Sequence, residues 1–361
     1  MNEAIPQYQP IFSPEDQRSV SEYMGSGGWC AEFQQSERFA DALAQIAGVK
    51  HAVLMNSGTS ALATALMALG IGRGDEVLVP NLTMAGTVSA VILSGATPVL
   101  VDIEPVALTM CEKGVLEKIS ARTKAVIHVS LNGRAGTLEK IRAICQARDI
   151  PLVEDAAQSM GSCFGSSPLG SIGTIGVYSF SSPKIITTGQ GGVALTNSDS
   201  LAQKLRRLKN FGREFGGADE YDHVGFNFKF NDLQAALGLS QLKTFSQKVS
   251  LKKKIYSTYQ ENLADLANVE FIATNLKEAT PWFVDIYTKD RDALSEYLKA
   301  NRIGSRKIYP ALNGERAFLT DGYFPVSQQY SRKGLWLPSS LDVLEKVPQI
   351  CRVIRKFYAA T

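Results

Sequence analysis

Histidine is scarce in this chain, with His51, His128 and His223 far apart among 361 residues, which argues against a metal centre built on imidazoles. Cysteine is equally sparse. Cys30, Cys111, Cys145, Cys163 and Cys351 stand singly, at no spacing that suits zinc. Their odd number argues against a disulfide framework, so reduced thiols in a cytoplasmic protein are expected, and no metal. Charge of one sign is lacking too. A net charge of +3 with no polybasic run gives no footprint for nucleic acid or a membrane surface. The longest apolar stretch, residues 85–93, is too short and too broken by Gly, Thr and Ser to span a bilayer. The start, Met1 to Pro6, lacks the basic and apolar segments of a secretory leader.

What is present is an ordinary globular composition, 45% hydrophobic and 20% charged, at a length that suits a large domain and a smaller one. From about Arg38 to Leu239, short apolar runs alternate with helical patterns. That alternation predicts an α/β fold with a mostly parallel sheet covered on both faces. Strands are expected at 52–56, 76–80, 97–102, 125–131, 152–154, 177–180 and 192–196. Helices are expected at 59–69, 85–93 and 138–148 between them, and a long one from Ser200. Two further helices, 231–245 and 247–266, lead to a mixed region with a strand run at 282–288 and a helix at 292–299. The division expected is a large domain over 1–245, whose first residues pack on the other unit, and a small α+β domain over 246–361.

Three motifs converge on one chemistry. Asn56-Ser57-Gly58-Thr59-Ser60 lies where a strand gives way to a helix. Gly58 lets the backbone come close there, and the free N–H groups at Thr59 and Ser60 with their hydroxyls make a phosphate cradle. A plain Ser/Thr helix cap would leave the same pattern. Val153-Glu154-Asp155-Ala156-Ala157-Gln158 puts two carboxylates at the end of an apolar strand, where open α/β sheets bind ligands. Strand alternation turns only one of them to the site. A carboxylate there can pair with a protonated pyridine nitrogen, though metal ligands and caps occur at strand ends as well. Tyr178-Ser179-Phe180-Ser181-Ser182-Pro183-Lys184 precedes the turn Gly189-Gln190-Gly191-Gly192. A lysine between an apolar strand and a glycine turn is placed to be partly desolvated, which frees its amine for covalent chemistry; a solvated loop lysine is the plainer reading.

In order and spacing these residues resemble the DegT/DnrJ/EryC1/StrS sugar aminotransferases, fold-type I pyridoxal phosphate enzymes, and within them the perosamine-synthase branch. Ile5-Pro6, Gly74-Asp75-Glu76-Val77, Gly95-Ala96-Thr97-Pro98 and Gly225-Phe226-Asn227-Phe228-Lys229 extend the match over nearly the whole chain. The resemblance implies pyridoxal 5'-phosphate as cofactor, held as an imine by Lys184, which also moves the proton. It implies that Asp155 pairs with the ring nitrogen, that Gln158 bonds the ring oxygen, and that Thr59, Ser60 and Ser179 bind the phosphate beside Gly58. Asn227 would reach the phosphate of the other subunit in a homodimer. Met84 falls where the family places an aromatic residue over the ring; a thioether can pack there, or be core. The implied reaction is ping-pong transfer of an amino group, with glutamate as donor, to a nucleotide-linked 4-keto-6-deoxy sugar destined for a surface polysaccharide or glycosylated metabolite.

Two segments depart from the family pattern. Ser130-Leu131-Asn132-Gly133-Arg134 stands where a His-Leu-Tyr-Gly-like strand end is usual, and Tyr309-Pro310-Ala311-Leu312-Asn313 stands where Pro-Val-His is common. Both departures leave room for a non-nucleotide keto substrate, such as a small keto-phosphate or free keto-sugar. Arg134 and Lys229 are candidate anion contacts, with surface charge as the alternative. Lys184 itself argues against the related dehydratases, which carry histidine at that place. Pro183 beside it, with only Cys163 near, argues against a cysteine desulfurase. The intact Lys184 and Asp155 argue against a non-catalytic cofactor-binding sensor.

Overall fold

The computed structural model describes residues 4–213, 220, 221 and 223–360. The first three residues, on which the expected lack of a leader partly rests, lie outside that set. Among the described residues the strands run in chain order as β1 (His51–Met55), β2 (Glu76–Pro80), β3 (Thr97–Val101), β4 (Thr123–Val129), β5 (Leu152–Asp155), β6 (Cys163–Phe164) and β7 (Ser167–Pro168). They continue as β8 (Ile175–Ser179), β9 (Gly192–Thr196), β10 (Val284–Tyr287), β11 (Arg306–Lys307) and β12 (Gly334–Leu337). The main sheet has seven strands in the order β1-β9-β8-β5-β4-β2-β3. Only β9 runs antiparallel to its neighbours. The expected α/β architecture is therefore present.

The main-sheet strands read as near-continuous apolar runs because helices cover both faces. Residues of β2, β5 and β9 are buried along their whole lengths. The helix Gly58–Ala68 is buried almost all round, including Leu62 and Leu66, and packs on the helix Asp199–Lys209 and on β9. Burying each of those leucines is worth roughly 1.5–3 kcal/mol, which anchors the helix whose N-terminus matters below. The strand expected to reach residue 131 stops at Val129. Asn132 (φ 55°) and Gly133 (φ 81°) turn into the left-handed region, and that breaks the extended run.

A second sheet, β10-β12-β11, is antiparallel. It shares a core with the helices Phe245–Leu263 and Val347–Ala360 through Ile255, Tyr259, Ile286, Leu335, Ile350 and Ile354. Ile5 belongs to the same core and bridges to Ile303, so the N-terminal segment packs on residues nearly 300 positions further along the chain. The helices Pro14–Gly25, Gln34–Ala47 and Val347–Ala360 were not evident in the sequence pattern. No helix among the described residues is long and apolar enough to cross a membrane.

Candidate active site

Parallel strands deliver their C-terminal ends to one edge, and that edge is where the candidate residues meet. β9 runs the other way, so its first residue, Gly192, reaches the same edge. A Cβ on Gly192 would overlap the Ser57 carbonyl, and one on Gly58 would lie 3.1 Å from the Ser179 Cβ. Three chain segments close on each other here because two of them lack side chains. The cavity they border has a volume of about 850 Å³ and is also lined by Thr59, Met84, Asp155, Gln158, Lys184 and Trp282.

On the cavity wall, Ser57 caps the helix Gly58–Ala68. Its Oγ accepts from the Ser60 N–H at 3.0 Å, and Ser60 Oγ bonds Asn56 Oδ1 at 2.7 Å. This corrects the expectation for Ser60: its N–H and hydroxyl are engaged in the cap, and the side chain is buried away from the cavity. Gly58 and Thr59 remain, with first-turn N–H groups that have no carbonyl inside the helix to meet. The Ser179 hydroxyl has only long contacts, 3.4 and 3.5 Å, to Ser181.

Alternation along β5 separates the two acids. Glu154 is turned away and accepts N–H groups from Gly170, Ile172 and Gly173 at 2.6–2.8 Å, a loop-holding role. Asp155 lines the cavity, accepting from Thr87 Oγ1 at 2.7 Å and from the Ala157 N–H at 3.2 Å. Burial raises its pKa, opposed by those two bonds and by the charge of Lys184. Gln158 lies one turn on, with Oε1 accepting the Asn132 N–H at 2.9 Å and Nε2 donating to Tyr309 Oη at 3.3 Å.

Lys184 sits in a loop pinned from the second sheet. The Trp282 indole N–H donates to the Pro183 carbonyl at 2.7 Å, and the Tyr8 hydroxyl donates to the Ser182 carbonyl at 2.9 Å. The amine lies 4.0 Å from the Trp282 ring centre. Although the residue as a whole is only half-buried, its amine is surrounded by protein. Desolvation draws its pKa down to about 8, with Asp155 pulling the other way. A cation–π contact holds the ammonium without neutralising it.

The remaining expected residues are placed as follows. Met84 is half-exposed on the cavity wall rather than in the core. Asn227 is exposed, bridges to Asn210 and is absent from this cavity's lining. Arg134 is corrected: only 3% exposed, it is paired with Asp285 at 2.8 Å and is not a free anion contact. Lys229 does not line this cavity. It lines a separate cleft beside Lys209 and Arg213, with its ammonium over the Phe211 ring. Among the described residues, the cations that face the cavity besides Lys184 are Arg306 and Arg316. Neither they nor Trp282 and Thr87 were picked out in the sequence, because single residues on distant segments make no motif; Tyr309 was noted only as part of a segment that departs from the family pattern.

The residues present fit pyridoxal 5'-phosphate. A glycine-opened helix terminus suits a phosphate, a buried carboxylate without a fixed cation of its own suits a ring nitrogen, and a desolvated amine suits an aldehyde. Fold and site together define a pyridoxal-phosphate-dependent aminotransferase. The family model for the DegT/DnrJ/EryC1/StrS aminotransferase family matches residues 10–356, and the chain belongs to that family. It is similar to the GDP-perosamine synthase of Vibrio cholerae, 32% identical over 363 residues covering 98% of this chain and 99% of the relative. The GDP-perosamine synthase of Escherichia coli O157:H7 is 31% identical over 361 residues, with the same coverage. Among solved structures, a DegT DnrJ EryC1 StrS aminotransferase from Brucella abortus matches with TM-score 0.89 at 29% identity over 95% of both chains. The aminotransferase TlmJ from Streptoalloteichus hindustanus matches with TM-score 0.93 at 27% identity over 99% of both.

Proposed function

We propose that the enzyme moves an amino group from glutamate to the keto group of a nucleotide-linked 4-keto-6-deoxy sugar. The observation that carries this reading is the shared cavity, lined by Lys184 and Asp155 and also by Arg306 and Arg316. Arginines there suit a diphosphate, since guanidinium forks match phosphate oxygens. The similarity to GDP-perosamine synthases over nearly the full chain supports the same acceptor class.

Pyridoxal phosphate, when bound, supplies an electron sink for the bond-breaking step. Gly58, Thr59 and Ser179 are the groups that would hold its phosphate, and Lys184 Nζ the group that would hold it covalently. Asp155 would face the ring nitrogen and would serve as its charge partner. Lys184 Nζ, once free, is the chain's own group that would take the proton from the donor carbon and would deliver it to the cofactor side. A pKa near 8 leaves that amine enough free base at neutral pH to act as a base and enough acid to give the proton back. Trp282 covers the amine and limits water. The same groups then run the steps in reverse on the keto acceptor, which is ping-pong logic.

The proposed assembly is a homodimer in which Asn227 serves the partner's phosphate end, with the domain division at residue 245. Screening keto-sugar nucleotides against free keto-sugars and small keto-phosphates, each with glutamate, tests the acceptor. Turnover only with the non-nucleotide compounds would overturn this reading.

A further inference from the structure

The unusual segment after β4 does a specific task at the cavity. Asn132 adopts the left-handed conformation (φ 55°, ψ 32°), and this aims its backbone N–H at Gln158 Oε1, 2.9 Å away. Its side chain works in the opposite direction. Asn132 Oδ1 accepts the Phe283 N–H at 2.8 Å, and Nδ2 donates to Asp285 Oδ1 at 2.7 Å. Asp285 is itself held by Arg134 and by the Tyr287 hydroxyl. All of these groups except the cavity face of Gln158 are buried. Gly133 follows in the left-handed region, and a side chain is excluded there because a Cβ would lie 2.5 Å from the Thr280 carbonyl oxygen.

An amide side chain can ordinarily flip, but a backbone N–H can only donate. The oxygen of Gln158 is therefore the atom that meets Asn132, and its NH2 is left facing Tyr309 and the cavity. One hydrogen goes to Tyr309 Oη, and the other is free to donate into the site. We infer that Asn132 is a positioning residue that locks the Gln158 amide with its donor toward the cofactor's ring oxygen and ties that orientation to the second sheet through Phe283 and Asp285. The inference rests on the proposed reading of Gln158 as the ring-oxygen partner.

A donor to an anionic ring oxygen favours the charged form, so losing it raises the pH midpoint of the bound cofactor's absorbance change. Asn132→Ala strains the left-handed turn and removes the side-chain tie, so that midpoint should rise by about one pH unit. Asn132→Gly keeps the turn and loses only the side-chain tie, so its midpoint should rise by less than that of Asn132→Ala. A wild-type midpoint in Asn132→Ala would overturn the inference and leave a merely structural role. A second comparison holds even if Asn132→Ala fails to accumulate. In Gln158→Glu a tethered carboxylate presents an oxygen to the ring oxygen, so its midpoint should rise further than in Gln158→Ala. Equal midpoints in those two variants would mean that no tether exists. Borohydride reduction of the wild type with peptide mapping is run alongside. If no label maps to Lys184, it is the proposed site that fails, separately from the tether.

Discussion

Replacing Asp155 by Asn changes one oxygen for one nitrogen at the floor of the cavity and removes the charge that should face the ring nitrogen. Two unit charges about 3 Å apart at an effective dielectric of about 20 attract by roughly 5 kcal/mol. An amide keeps part of that as a dipole, so the loss expected in the transition state is about 3–5 kcal/mol, or roughly 10²–10⁴-fold in rate. The fold should survive. The Ala157 N–H still finds an oxygen, the Thr87 hydroxyl can rotate to accept from the new amide, and a desolvated carboxylate disappears. The melting temperature of the cofactor-free protein should therefore hold or rise. The assay is a single half-reaction, in which glutamate is mixed with loaded enzyme and the cofactor absorbance is followed by stopped flow. A rate within about threefold of the wild type would refute the assignment of Asp155.

Lys184→Ala should bind cofactor weakly and give no turnover, and borohydride should leave no covalent label in it; retained activity would end the assignment. Because the Lys184 amine titrates near 8, covalent capture of cofactor by the cofactor-free protein should speed up about tenfold per pH unit below that value and level off above it. A flat rate from pH 6 to 9 would contradict the desolvated amine. Lys252 gives a stability test. It is buried, with its ammonium donating to the carbonyls of Trp282 and Ser339 at 2.8 and 2.6 Å, and burial lowers its pKa to about 7. Between pH 7 and about 10 the unfolded chain holds the proton that the folded one has lost, so this residue makes stability climb with pH. Denaturant titrations should show a shallower climb in Lys252→Met, and equal slopes in the two proteins would sink the idea. Mixing Lys184→Ala with Asn227→Ala chains should restore activity in hybrid dimers if Asn227 serves the partner's site; no recovery would place it elsewhere.

How legible the site was depended on whether its residues were neighbours in sequence. Asp155 and Lys184 were singled out because each closes or follows an apolar strand in a short recognisable run; strand alternation left one of Glu154 and Asp155 for the site, and the family resemblance pointed to Asp155. Ser60 shows the limit of such reading. A hydroxyl at the third helical position serves phosphate binding and helix capping with the same pattern, and only the distances to Ser57 and Asn56 distinguish them. Arg134 failed for a related reason, since its carboxylate partner lies 151 residues away on β10 and nothing local reveals it. The sheet was legible where strands were buried on both faces. The helices Pro14–Gly25 and Gln34–Ala47 were not, as their patterns carry mixed polar residues.

The two halves of the catalytic cavity also differ in how they are built, and this bears on acceptor choice. The floor comes from consecutive strand ends of one sheet, so its geometry is set by backbone hydrogen bonds that side-chain changes barely move. The far wall comes from β11 and the segment after it, including Arg306, Tyr309 and Arg316, which β12 and its contacts carry as a unit. Trp336 on β12 meets Tyr309 edge-on at 4.8 Å and lies 5.4 Å from the Arg306 guanidinium. Substitutions in that wall can thus change which keto compound fits while the amine and its facing acid keep their places. Arg306→Ala and Arg316→Ala should raise KM for a nucleotide-linked acceptor with little change in the glutamate half-reaction. If both half-reactions slow together, the arginines hold the floor and not the acceptor.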